Sequence, residues 1–382
     1  MDIKQLLIQL VEKGGSDLFV TADNPPCLKL NGVIDVLNQE SISKETAREV
    51  VLSLMNEQQK TEYLQTKESN FAFDYAPYGR FRVSAFFHKN NCGMVIRRIQ
   101  TKIPTIEMLG LPTILKTLIM QKRGLIIIVG GTGVGKSSTL AAMLGYRNQM
   151  APGHIVSLED PIEYLHTHDK CIITQREIGL DTASFDVALK NSMRQAPDVI
   201  NIGEIRSPDN MQHALSFSET GHLCLSTLHA NNASQALDRI IHFYPEFSHG
   251  QIFMDLSLNL RAIVAQQLIP TVTGEGRVPA VEILLNTPVM AAHIRTGDIH
   301  VLKEFMEKGV NQGMQTFDQS LFDLFKDGKI SYEEALHHAD SQNDLRLMIK
   351  LKTSYQIPSN VDIDKLDLLD NDEMRFDDPL NY

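Results

Sequence analysis

Apolar residues recur with a helical period at the start of the chain. Ile3, Leu6, Leu7, Leu10 and Val11 share one face, closed by Gly14-Gly15, and predict a helix over 3–11. The spacing returns with Ala47, Val50, Val51, Leu54 and Met55 behind Ser43, a residue suited to an N-cap, and predicts a second helix over 44–60. The period then changes to two. Phe71, Phe73 and Tyr75 alternate, Pro77-Tyr78-Gly79 marks a turn, and Phe81, Val83, Ala85 and Phe87 alternate again, with Arg80, Arg82 and Ser84 on the opposite face. A hairpin and a third strand are expected, so residues 1–100 read as a small α+β domain.

Residues 101–112 hold two prolines and no strong period, and read as a linker. Over 113–285 apolar strands and amphipathic helices alternate: strands 124–130, 154–159, 198–203 and 222–228, helices 136–148, 184–194, 208–219 and 232–243. Alternation of this kind predicts a parallel sheet covered by helices, an α/β class. Residues 286–352 turn helical, with "TFDQSLFDLFKDG" and "SYEEALHHADS" as capped helices ending near Leu351.

Charge changes the picture only at the end of the chain. Net charge is −11, and residues 359–382 supply −6 of it through eight acids against Lys365 and Arg375. Residues 353–382 therefore read as an acidic, solvated tail, with a docking peptide as the alternative. An acidic body argues against a nucleic-acid groove, which needs clustered Lys and Arg. Cys27, Cys92, Cys171 and Cys224 lie too far apart for a zinc site or a disulfide framework, which suits a reducing cytosol. The N-terminus lacks a signal-peptide pattern, and no apolar run nears the roughly 18 residues of a membrane span.

Candidate chemistry clusters in the alternating region. Strand 124–130 runs into Gly130-Gly131-Thr132-Gly133-Val134-Gly135, and Lys136-Ser137-Ser138 opens a helix, which fits G-x-x-x-x-G-K-[ST]. Glycines let backbone N–H groups close around phosphate, Lys136 reaches the β and γ phosphates, and the Ser137 hydroxyl suits Mg²⁺. "VSLEDPIEYLH" ends a strand in Glu159, Asp160 and Glu163, on the edge where open α/β sheets bind ligands. A carboxylate there can hold the attacking water, or the segment is a solvated loop. "DVINIGEIR" sits where a Walker B strand belongs, but Gly203 replaces the usual aspartate, leaving Glu204 for the metal side or as a surface glutamate. His222 and His229 bracket the strand of "TGHLCLSTLHANN", either as γ-phosphate sensors or as structural histidines. Arg80, Arg82, Arg97 and Arg98 are surface arginines or fingers that reach a neighbouring subunit's nucleotide.

In this order, "GGTGVGKS", "LEDPIEY", the strand ending in "GE", and "TGHLCLSTLHA" resemble the secretion-type hexameric ATPases of type IV pilus and type II secretion systems, over about residues 1–350. Within that family the chain looks like the PilT/PilU retraction branch. It begins directly with the short domain and lacks the tetracysteine motif typical of assembly ATPases. "MRQAPDVINIGEIR" is similar to the PilU type, with Ala196 and Ser207 standing where PilT-type chains usually carry aspartates.

The resemblance implies a RecA-like P-loop core, a PAS-like N-terminal domain on a flexible linker, ATP and Mg²⁺, and a homohexamer. It also implies placement on the cytoplasmic side of a bacterial inner membrane, against a pilus platform protein and with a PilT-like retraction ATPase as partner. Glu163 would be the general base and Glu204 the Mg²⁺-side acid, or the reverse, with Arg80, Arg82 and Arg97 matching the family's arginine-bearing strands. The expected role is pilus retraction and twitching motility. The rivals are an assembly or secretion ATPase, and a nucleotide-binding scaffold that modulates a sister motor.

Overall fold

The computed structural model describes residues 2–30, 32–37, 40–353 and 355. The acidic stretch 359–382 lies outside them. Two compact units make up the chain: Met1–Leu268 with Val278–Thr316, and Ile269–Arg277 with the residues from Phe317 on.

In the first unit, α1 (Ile3–Glu12) starts where the Asp2 carboxylate accepts the Lys4 N–H, and it buries Ile3, Leu6, Leu7 and Leu10. Strands β1 (Asp17–Thr21), β2 (Cys27–Leu30) and β3 (Val33–Val36) follow, then α2 (Lys44–Ser53), capped by Ser43. The single helix expected over 44–60 is instead two. Asn56 and Gln59 exchange side-chain-to-backbone hydrogen bonds in a capping box, so a new helix, α3 (Glu57–Thr66), begins there. Strands β4 (Glu68–Tyr75), β5 (Gly79–His88) and β6 (Asn91–Arg98) form the expected hairpin and third strand, with Phe73 opposite Phe81 and Phe71 opposite Val83. The six strands run in the order β3-β2-β1-β6-β5-β4. Phe81, Val83 and Ala85 face the core, while Arg80 and Arg82 alternate onto the other side.

Residues 101–112 are packed, not loose. Ile106 and Leu111 are buried in one apolar cluster with Leu115 and Ile119 of α4 (Ile114–Ile119). The same cluster holds Ile126 and Ile128 of β7 (Gly124–Val129) and Leu140, Met143 and Leu144 of α5 (Lys136–Met150). The alternate residues Leu125, Ile127 and Val129 are equally buried but lie outside that cluster. β7 is thus covered on both faces, which is why its sequence is apolar without alternation.

The remaining core elements are β8 (Gly153–Glu159), β9 (Cys171–Glu177), α6 (Phe185–Ser192), β10 (Val199–Ile202), α7 (Pro208–Glu219), β11 (Leu223–Leu228), α8 (Ala233–Ile241), α9 (Glu246–Asn259), β12 (Leu260–Pro270) and β13 (Arg277–Leu285). They build a seven-stranded sheet in the order β13-β12-β7-β11-β10-β8-β9. The pairs from β12 through β9 are all parallel. Parallel pairing brings the C-terminal ends of β7, β8, β10 and β11 to one edge, and with them the segments that carry Lys136, Glu163, Glu204 and His229. Helices α10 (Pro288–Thr296) and α11 (Leu302–Lys308) close this unit.

The second unit holds α12 (Phe317–Lys326), α13 (Tyr332–His337) and α14 (Gln342–Lys352) around Phe317, Leu321, Tyr332, Ala335, Leu345 and Ile349. Ser331 caps α13, and Asp318 accepts the Asp340 backbone N–H.

Candidate active site

The phosphate loop takes its shape from three glycines with positive φ, at Gly130 (154°), Gly133 (79°) and Gly135 (91°). A Cβ at Gly130 would stand 2.6 Å from the Gln266 carbonyl oxygen, so the loop lies too close to β12 for any side chain there. Helix α5 begins after Gly135 with no side-chain cap, which leaves its first N–H groups free to take an anion. Lys136 folds back over the loop: its Nζ donates to Gly130 O at 2.8 Å and Gly131 O at 2.6 Å. Burial pushes this lysine below its ordinary value, opposed by the attraction of Glu204 and Glu163.

Beneath the loop, Gln266 ties it to α5. Its Nε2 donates to Val134 O at 2.8 Å, and its Oε1 accepts the Thr139 hydroxyl at 2.7 Å. Sequence reasoning missed this residue, since nothing near a glutamine in "VAQQLIP" marks it as touching a loop more than 120 positions earlier. Tyr164 was missed as well. It lies within the quoted acidic segment, and its hydroxyl sits 2.7 Å from Ser138 Oγ on the first turn of α5.

A cavity of about 440 Å³ opens over the loop. Lys136, Ser137, Ser138, Glu163, Glu204 and His229 all line it, so residues from four separate strand ends converge on one space. Glu204 is held from two sides, by Arg206 Nε at 2.8 Å and His229 Nε2 at 3.1 Å. Arg206 also reaches Asp160, at 3.6 Å, and is a third residue the sequence reading passed over. Glu159 is turned inward, where it accepts from Ser157 Oγ and Gln175 Nε2, and burial raises it above the ordinary carboxylate range. Glu163 is exposed to the cavity, the arrangement a base needs to meet water. Gly203 is explained by its neighbours. A Cβ there would stand 3.1 Å from Leu158 O and 3.3 Å from Glu159 Cα, tighter than strand packing allows without a shift.

Not every expected residue arrives. His222 precedes β11, and its carbonyl accepts the N–H of Gly124 at the start of β7. It therefore lies on the edge opposite the loop, about 23 Å from His229 across a strand rising about 3.3 Å per residue. Within this chain it does not border the phosphate cavity. Its ring nitrogen Nδ1 is 3.2 Å from Phe217 O, a helix-end contact. The arginines do not line the cavity either. Arg80 pairs with Asp74 at 3.1 Å, Arg97 with Asp17 at 2.8 Å, and Arg82 stands 4.0 Å from Glu177.

Ser137 and Glu204 supply hard oxygen donors on the same cavity, the chemistry that suits Mg²⁺ held between a hydroxyl, a carboxylate and phosphate. Among the described residues no three His, Cys, Asp or Glu side chains gather into a metal cluster.

The profile of a family described as "Type II/IV secretion system protein" matches residues 1–321. The chain belongs to that family. It is an ATPase. Among its relatives is the type IV pilus ATPase PilU of Pseudomonas aeruginosa, 61% identical over 351 residues that cover 92% of each chain. The type IV pilus retraction ATPase PilT of the same organism is 36% identical over 339 residues, 89% of this chain and 98% of that one. A crystal structure of the pilus retraction motor PilT with bound ADP superposes with a TM-score of 0.85 at 34% identity, over 91% of this chain and 100% of the other. The α/β fold with its mixed sheets is thus that of a PilT-like ATPase.

Proposed function

We propose that this chain is an ATP-hydrolysing motor subunit of a type IV pilus machine that drives or assists pilus retraction. The convergence of Lys136, Ser137, Glu163, Glu204 and His229 on one cavity carries the reading. Lys136 leaves the loop carbonyls for the β and γ phosphates, and the free N–H groups of α5 take the remaining phosphate charge. Ser137 and Glu204 would hold Mg²⁺, which would offset phosphate charge. Glu163 takes a proton from water as its oxygen attacks the γ-phosphorus; the bridging P–O bond breaks and its electron pair leaves with ADP. His229, already bonded to Glu204, reports the γ-phosphate to the strand that carries it.

In this reading the subunits form a homohexamer whose PAS-like N-terminal layers and RecA-like cores open and close with nucleotide. The ring works at the cytoplasmic face of the inner membrane, against a platform protein and beside a PilT-like ATPase. No helix among the described residues is long and apolar enough to cross a membrane, so in this reading contact with the machine goes through protein. The relatives at 61% and 36% identity support the pilus assignment over a secretion role. The test is Lys136→Ala in purified protein and in cells. Lost turnover with retained folding, together with lost surface motility and excess surface pili, is the expected result. Normal turnover would refute the phosphate-loop assignment, and a variant that stops hydrolysis but leaves motility intact would favour a scaffold role.

A further inference from the structure

The segment that carries Glu163 has no regular secondary structure of its own, and it is tethered on one side to Glu177 of β9, beside Arg82, and on the other to Gln100. On one side the Ile162 N–H donates to Glu177 Oε2 at 3.2 Å, and the other oxygen of that carboxylate faces Arg82 Nε of β5 at 4.0 Å. On the other side Tyr164 bridges to Gln100, two residues past the end of β6, and the Leu165 N–H donates to Gln100 O at 3.0 Å.

We propose that Arg82 is a positioning residue for hydrolysis in its own subunit, holding the buried Glu177 carboxylate that fixes the Ile162–Glu163 loop. The Glu177 side chain is 6% exposed and Arg82 29%. This buried carboxylate has two partners, the Ile162 backbone N–H and the Arg82 guanidinium. Its backbone is fixed as well: Asp181 accepts the Glu177 N–H, and Glu177 O accepts the Asp181 N–H. With the main chain held, the arginine decides where the carboxylate points, and the carboxylate decides where Ile162 lies. Glu163 is the next residue. Displacing a reacting group by about 1 Å is able to cost about 100-fold in rate. Seating of the N-terminal sheet on its own core thus sets the base, and hydrolysis depends on that seating.

This inference rests on Glu163 as the general base, and the test separates the two. ATPase kinetics and ADP affinity are measured on Arg82→Ala, Arg82→Lys, Glu177→Gln, the Arg82→Ala/Glu177→Gln double variant and Glu163→Gln. Glutamine at 177 still accepts the Ile162 N–H but loses its charge attraction to Arg82. Arg82→Ala and Glu177→Gln should each lower kcat about 10-fold or more, with KM for ATP and ADP affinity within about two-fold of the parent. The double variant should be no slower than either single change, and Arg82→Lys should recover most of the rate. Full turnover in Glu177→Gln beside a slow Arg82→Ala overturns the proposal and returns Arg82 to a role across the subunit boundary. Arg82 is part-exposed, so its truncation reads the proposal even where Glu177→Gln folds poorly; full kcat in Arg82→Ala overturns it outright. A slow Glu163→Gln beside fully active Arg82 and Glu177 variants would sink only the positioning role. A fast Glu163→Gln removes the base assignment and this proposal with it.

Discussion

Replacing Gln266 by leucine tests whether β12 holds the phosphate loop in shape. The side chain is 4% exposed and bonds at both ends, to Val134 O and to the Thr139 hydroxyl, which is itself fully buried. Leucine fills nearly the same volume, so the perturbation is mainly the loss of two hydrogen bonds, each contributing about 1 kcal/mol net. Thr139 lies in α5 and its hydroxyl can turn to the Gly135 carbonyl four residues back, which spares part of the penalty. The Val134 carbonyl is part-buried, and where water does not replace its lost partner the cost is about a further 1 kcal/mol. We expect a loss of about 2–3 kcal/mol. On the scale of domains of 150–250 residues, 2 kcal/mol corresponds to a fall in Tm of about 4–8 °C. The change also frees the loop, so ADP affinity should weaken about ten-fold or more, equivalent to about 1.4 kcal/mol. Differential scanning calorimetry and ADP titration read both quantities. Adding Thr139→Val removes the stranded hydroxyl, and the double variant should be no less stable than Gln266→Leu alone. Unchanged Tm and unchanged ADP affinity in Gln266→Leu would refute the idea that this glutamine shapes the loop.

Glu163→Gln should bind ATP·Mg²⁺ normally and hydrolyse it about 10²–10⁴-fold more slowly, whereas Glu204→Ala should raise the Mg²⁺ concentration needed for half-maximal rate; Mg²⁺ titrations showing the reverse would exchange the two roles. Ala196 sits at φ 49° and ψ 54°, a left-handed conformation that disfavours a Cβ, so Ala196→Gly should stabilise the protein by about 1 kcal/mol; calorimetry checks it, and a lower Tm contradicts it. Burial pushes His166 down to about 4 from its ordinary 6.5. The unfolded chain then binds this proton more readily than the folded one, so stability is full above about pH 6.5 and falls as pH drops, by about 2 kcal/mol at pH 5 and about 3 below pH 4. Urea unfolding at pH 7.5 and 5 should show that loss shrink in His166→Gln, and an equal loss in both proteins would clear this histidine.

Much of the site was legible because its segments are local. A strand, a glycine turn and a helix opening at Lys136 are adjacent in sequence, and phosphate chemistry dictates their residue types. The acids of 159–163, Glu204 and His229 were legible for a related reason: each ends a buried strand, and parallel strands end on one edge. That same rule places His222 on the wrong edge, because it begins its strand where His229 ends it. Helix 44–60 broke in two because the apolar period stops at Met55 and the polar run that follows carries the Asn56–Gln59 capping box, which starts a new helix.

Local pattern, then, determined the α/β class, the phosphate loop and the set of strand ends that meet over it. Tertiary structure alone decided what supports them. Gln266 reaches the loop because β12 pairs beside β7, and Glu177 meets both Ile162 and Arg82 because β9 pairs beside β8 next to the N-terminal sheet. Such pairings depend on which apolar faces the whole chain can bury together, and that is fixed by the sum of distant contacts, not by any window of neighbouring residues.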